Sequence, residues 1–107
     1  MKVVLYRDGR PGVAAKLPGD EPDIELSDLL GGETEITPVT SKLRVVHLCE
    51  GYGLDLPVRY MMHVIGKAPR LIRGDCALVA LTMDGKYRDV TLQEIAAAEE
   101  YVRCVGA

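Results

Sequence analysis

The chain has 107 residues, a formal net charge of −3, and five aromatic side chains that are all tyrosine. That length makes one domain and lets it bury a core without disulfide or metal staples. A hydrophobic content of 48% argues against disorder, and the negative balance gives no electrostatic case for nucleic acid.

Taken in chain order, Lys2 to Tyr6 reads as a strand, followed by the turn-rich Arg7-Asp8-Gly9-Arg10-Pro11-Gly12. Val13 to Leu17 is its expected hairpin partner. Ile24 to Leu30 puts Leu26, Leu29 and Leu30 on one side of a short helix. Acids near its start suit the helix dipole, and Gly31-Gly32 stops it. Thr34 to Val39 is a third strand, held to a sheet edge by Pro38, which lacks a backbone donor. Lys42 to Cys49 is a fourth. Its alternation sends Leu43, Val45, His47 and Cys49 to one face and Arg44, Val46 and Leu48 to the other.

Residues 51 to 74 read as irregular, broken by Gly51, Gly53, Pro57, Gly66 and Pro69. Arg59 to Ile65 within them fits one helical turn or a short strand. Cys76 to Leu81 is a continuous apolar run, the pattern of a strand buried on both faces. Asp84-Gly85 predicts a two-residue hairpin turn into Tyr87 to Val90. Thr91 and Glu94 have the spacing of a capping box, with Val90 and Ile95 as a hydrophobic staple. The stripe Leu92, Ile95, Ala98, Val102 and Val105 then predicts one helix over 91–105. Strand runs punctuated by single helices define an α+β domain. The expected form is a mostly antiparallel sheet of about five or six strands with two helices packed on one face.

No stretch approaches the roughly 20 apolar residues of a membrane span. Met1 to Tyr6 is too short for a signal-peptide core, so the expected setting is cytoplasmic. Cys49, Cys76 and Cys104 are odd in number and widely spaced. They make neither a metal pattern nor a disulfide framework, and reduced, buried thiols are expected.

Charge is unevenly spread. Residues 17 to 41 hold Asp20, Glu21, Asp23, Glu25, Asp28, Glu33 and Glu35 and no base. Residues 56 to 74 hold Arg59, Lys67, Arg70 and Arg73, with His63, and no acid. Two solvated faces of opposite sign would explain this. So would a basic segment that receives an anion. The binding candidates are Arg59, Arg70 and Arg73 with Tyr52 and Tyr60. Arginine forks take carboxylate or phosphate in pairs, and tyrosine offers a flat stacking face. His47 and Cys49, beside Glu50, have the residue types of a base and a thiol nucleophile, but their fixed strand spacing suits a core pair better. His47, His63 and Cys49 lack the close ligand pair zinc prefers. No catalytic residue, metal or cofactor is therefore assigned. No glycine-rich nucleotide motif is present.

Several short motifs carry a resemblance. Leu29-Leu30-Gly31-Gly32 stands before a strand with Glu35 and Pro38. Gly53-Leu54-Asp55-Leu56-Pro57 stands before Arg59, Ile72-Arg73-Gly74-Asp75 runs into the apolar strand, and Thr91 opens the last helix. On these the chain resembles the family catalogued as domain of unknown function 3846, although Val58 stands where that family often has asparagine. The resemblance implies a gene of a phage, plasmid or conjugative element, and an accessory protein without enzymatic activity. The reading that follows is a protein-binding module acting through the basic loop 51–74. An anionic small ligand such as a nucleotide is the alternative, and a Cys49-dependent enzyme the second. A homodimer through the edge strand is compatible with all three.

Overall fold

The computed structural model describes the chain except residues 19–21, 50, 52, 65, 106 and 107. Asp20, Glu21, Glu50, Tyr52 and Ile65 thus lie outside the described residues. The first strand, β1 (Lys2–Tyr6), forms the expected hairpin with β2 (Val13–Lys16). Helix α1 (Pro22–Leu30) starts on a proline, whose fixed φ suits the first helical position. It ends at Gly31, where φ is +88° and the amides of Gly31 and Gly32 both bond to the Ser27 carbonyl. Leu26 and Leu30 are buried, whereas Leu29 is exposed.

Strands β3 (Thr34–Pro38), β4 (Leu43–Leu48), β7 (Cys76–Leu81) and β8 (Tyr87–Arg88) complete the main sheet. It is antiparallel throughout, in the order β2-β1-β7-β4-β3, with β8 pairing β7. The apolar run of β7 is central and buried on both faces, as its composition dictates. β3 is an edge strand, as Pro38 requires. The turn after β7 is wider than two residues. Thr82 N–H bonds to Lys86 O and Gly85 N–H to Thr82 O, and only Gly85 takes a positive φ, +84°. A three-residue loop closed by a left-handed glycine is the next commonest hairpin solution.

The main departure lies in residues 51–74 and at the C-terminus. Residues 51–74 do not form an irregular flap. They supply β5 (Val58–Met62) and β6 (Arg70–Arg73), a hairpin in a second antiparallel sheet of order β6-β5-β9. The third strand, β9 (Val102–Cys104), comes from the segment read as helix. Helix α2 is only Leu92–Ala97, followed by a 3₁₀ turn at Ala98–Glu100. The capping box at Thr91 and Glu94 is present. What ends the helix is tertiary pairing. The backbone of 101–105 bonds to β5, with His63 N–H to Tyr101 O and Val105 N–H to Arg59 O. Glu99 and Glu100 at the helix C-terminus oppose its dipole and weaken any extension. Leu92 consequently points to solvent, while Ile95, Ala98 and Val102 join the core.

The domain is α+β around a six-stranded antiparallel sheet, as expected, but its two helices take opposite faces. Leu26 and Leu30 of α1 pack with Val3, Val46 and Val79 on one face. Val4, Tyr6, Val45 and Leu78 on the other meet Tyr60, Met62 and Ile72 of the second sheet, with Ala98 behind them. Truncating a core side chain such as Leu78 to alanine costs about 2–5 kcal/mol. Among the described residues, no helix is long and apolar enough to cross a membrane.

Candidate functional site

The C-terminal end of β4 and the edge strand β6 enclose a recess of about 340 Å³. His47, Leu48 and Cys49 form one wall, and Arg70, Leu71 and Arg73 the other. Leu54 and Leu71 stand at its mouth, each more than half exposed.

His47 is buried, and both ring nitrogens are engaged. Nδ1 lies 3.0 Å from the Leu48 carbonyl and Nε2 lies 2.8 Å from Thr37 Oγ1. A carbonyl only accepts, so Nδ1 carries the proton and Nε2 accepts from the threonine hydroxyl. Burial lowers the imidazole pKa. Arg70 adds to that, while the Leu48 carbonyl and Glu35 oppose it. Cys49 is half-buried, and its thiol pKa is raised by desolvation and by Glu33 and Glu35. A raised thiol beside an imidazole with no free nitrogen is not an activated nucleophile–base pair.

Two of the sequence-assigned arginines meet here. Arg73 Nη1 donates to Leu56 O at 3.0 Å, and Arg70 closes the hairpin end opposite Met62. Among the described residues, neither forms an ion pair. Arg59 does not join them. It sits where the β5–β6 register shifts between Val58 and Tyr60, and its side chain lies against Gly9. There it borders a smaller hollow of about 240 Å³ with Asp8 and Asp75.

Tyr60 offers no stacking face. It is fully buried, its hydroxyl donates to Arg10 O at 2.8 Å, and burial pushes its pKa up to about 12. Its position faces the main sheet because Tyr60, Met62 and Ile72 alternate inward. Tyr52 lies outside the described residues. The acidic and basic segments come together at one point, His47. Glu35 pairs across from His47 on β3, and Arg70 approaches the same imidazole from β6.

Reading from sequence missed Leu54 and Leu71 as part of the mouth. The available signal was Leu71 next to Arg70, outward on a strand whose Ile72 turns in. It also missed that Cys104 is exposed and that Cys49 is half-exposed, having treated all three thiols as buried.

The fold and recess define a small two-sheet α+β protein with two guanidinium groups beside a neutral histidine. No family model, curated protein or solved structure matches the chain.

Proposed function

We propose that this chain is a non-enzymatic binding protein that captures a protein partner by an extended acidic segment laid along β6. The observation that carries the reading is the pair Arg70 and Arg73, flanking one recess at a free strand edge without ion-pair partners among the described residues. An unpaired edge adds a strand from a partner, the backbone giving affinity and the side-chain pockets specificity. Carboxylates of that strand meet the guanidinium forks, and an apolar side chain between them sits against Leu54 and Leu71. The cytoplasm of a bacterium carrying a phage or plasmid is the setting the family resemblance implies. Small proteins in that setting commonly act by binding, which fits this reading.

Titration calorimetry with a ten-residue peptide alternating Glu and Val tests the reading. Saturable binding that weakens with salt is expected. The double variant Arg70→Glu, Arg73→Glu should lose about tenfold or more in affinity with its melting temperature unchanged, since exposed substitutions shift stability by only about 0.5 kcal/mol. Binding that survives this double variant would rule the site out. A nucleotide that raises the melting temperature and blocks the peptide would instead favour the small-ligand alternative, since a ligand at a hundredfold excess over its Kd stabilises by roughly 2.7 kcal/mol.

A further inference from the structure

A second concavity lies on the opposite side of the second sheet, along the outer edge of β9. It holds about 620 Å³. Pro11 and Gly12 of the β1–β2 turn form one side, and Ala96, Val102 and Cys104 the other. Glu99 and Glu100 stand at its rim beside Arg103, whose Nε is occupied by the Glu99 carbonyl at 3.1 Å.

Tyr6 also lines it. This side chain is 1% exposed, and its hydroxyl is buried with no hydrogen-bond partner among the described residues. The hydroxyl end of the ring, Cε1 and Cζ, lies against Gly12, one of the residues that line the cavity. A Cβ built on Gly12 would fall 2.6 Å from both Tyr6 Cε1 and Cζ, so only a glycine lets the turn lie this close. Burial, with Cys76, Cys104 and Glu99 adding to it, holds the phenol pKa well above its ordinary value. The group is therefore a protonated donor, buried behind the cavity wall, with no acceptor bonded to it among the described residues. Buried polar groups are almost always satisfied in folded proteins, and an exception calls for an explanation.

We propose that this cavity binds a small organic cation with an apolar body and a hydrogen-bond acceptor: Glu99 and Glu100 take the cationic end, Pro11, Ala96 and Val102 the body, and the Tyr6 hydroxyl the acceptor. The site is separate from the Arg70–Arg73 recess, and either stands without the other. Opposite charge selects opposite ligands at the two.

Three probes separate the contributions. Benzylamine offers the cation and the ring, 4-(aminomethyl)benzamide adds a carbonyl, and benzoate reverses the charge. In amide-detected NMR titrations at millimolar probe, the first two should shift resonances of Gly12 and residues 96–104, and benzoate should not. The carbonyl probe should bind about tenfold more tightly than benzylamine, the worth of one well-made hydrogen bond. Tyr6→Phe should abolish that preference while leaving the melting temperature equal or higher, because it removes an unsatisfied donor. Glu99→Gln with Glu100→Gln should weaken both cations together. Ala96→Trp, an exposed position at the mouth, should block both without unfolding the chain. The proposal is overturned if neither cation shifts these resonances. It is equally overturned if the carbonyl preference survives Tyr6→Phe, or if Tyr6→Phe lowers the melting temperature, which would show the hydroxyl already satisfied in the free protein.

Discussion

The ring of Tyr6 meets the ring of Tyr60 edge to face, with 5.4 Å between centroids and 69° between planes. Tyr6 belongs to the main sheet and Tyr60 to the second, so this contact ties the two layers together in a core that has no Phe or Trp. Such a pair adds about 0.5–1.5 kcal/mol beyond the area it buries. The Tyr60 hydroxyl also secures the 7–12 turn through Arg10 O.

Two substitutions at Tyr60 separate these contributions. Tyr60→Phe keeps the ring contact and removes the hydrogen bond, at an expected cost of about 1 kcal/mol. Tyr60→Ala removes both and leaves a cavity, at about 3–5 kcal/mol. Urea unfolding measures each. Equal costs for the two variants would mean that the ring contact contributes nothing.

The local rules were legible and the long-range ones were not. The capping box was readable because Thr91 and Glu94 satisfy each other within four residues. The doubly buried β7 was readable because its composition alone demands cover on both faces. The fate of 102–105 was not. Val102 and Val105 fit a helical stripe and a strand equally well, and the decision rests with β5, some forty residues earlier, which offers its edge. The candidate site followed the same division. Arg70 and Arg73 could be paired from their positions on one short segment. That His47 faces them depends on how two sheets pack, and that Arg59 lies instead against Gly9 goes with a register shift between β5 and β6.

Among the described residues, Glu94 is a carboxylate whose pKa folding clearly depresses. Arg88 holds it through two hydrogen bonds of 2.8 and 2.9 Å, and the Thr91 backbone amide adds a third. The Arg88 pairing foremost lowers its pKa to about 2. A carboxyl depressed in the folded state contributes stability above its unfolded pKa and loses it as pH falls through the folded value. The contribution should therefore be complete above pH 4.5 and fade towards pH 2. Glu94→Gln should cost about 2 kcal/mol at neutral pH and flatten the acid limb of the stability curve. An unchanged acid limb would show that Glu94 is not the group responsible.

The three thiols should separate by labelling rate. Cys104 is exposed and should react with a maleimide in the native protein. Cys49 is partly covered and its pKa is raised, which depletes the thiolate that reacts. It should label more slowly. Cys76 is fully buried, its pKa lifted first by burial and then by Asp75, and should label only on unfolding. Mass spectrometry of timed reactions gives the order. Cys49 labelling faster than Cys104 would revive an activated thiol next to His47.

His47 provides a direct check on how the recess is assembled. Its pKa is lowered by burial first, with Arg70 pushing further down and Glu35 pushing up. Folding thus favours the neutral ring, and this stability is present above the ordinary histidine value and drains away as pH falls below about 6.5. Removing each neighbour's charge should move the midpoint in opposite directions: Arg70→Gln upward and Glu35→Gln downward, both read from the ring-proton NMR shifts of His47. Arg70 is exposed and Glu35 half-buried, and each substitution keeps the side chain polar, so neither change should unfold the chain. An anion bound between Arg70 and Arg73 should act like Arg70→Gln and raise the midpoint, by partly cancelling the charge that faces the ring. An Arg70→Gln variant that titrates like the parent would place the guanidinium away from the imidazole, and with it separate β6 from the wall that His47 and Cys49 form.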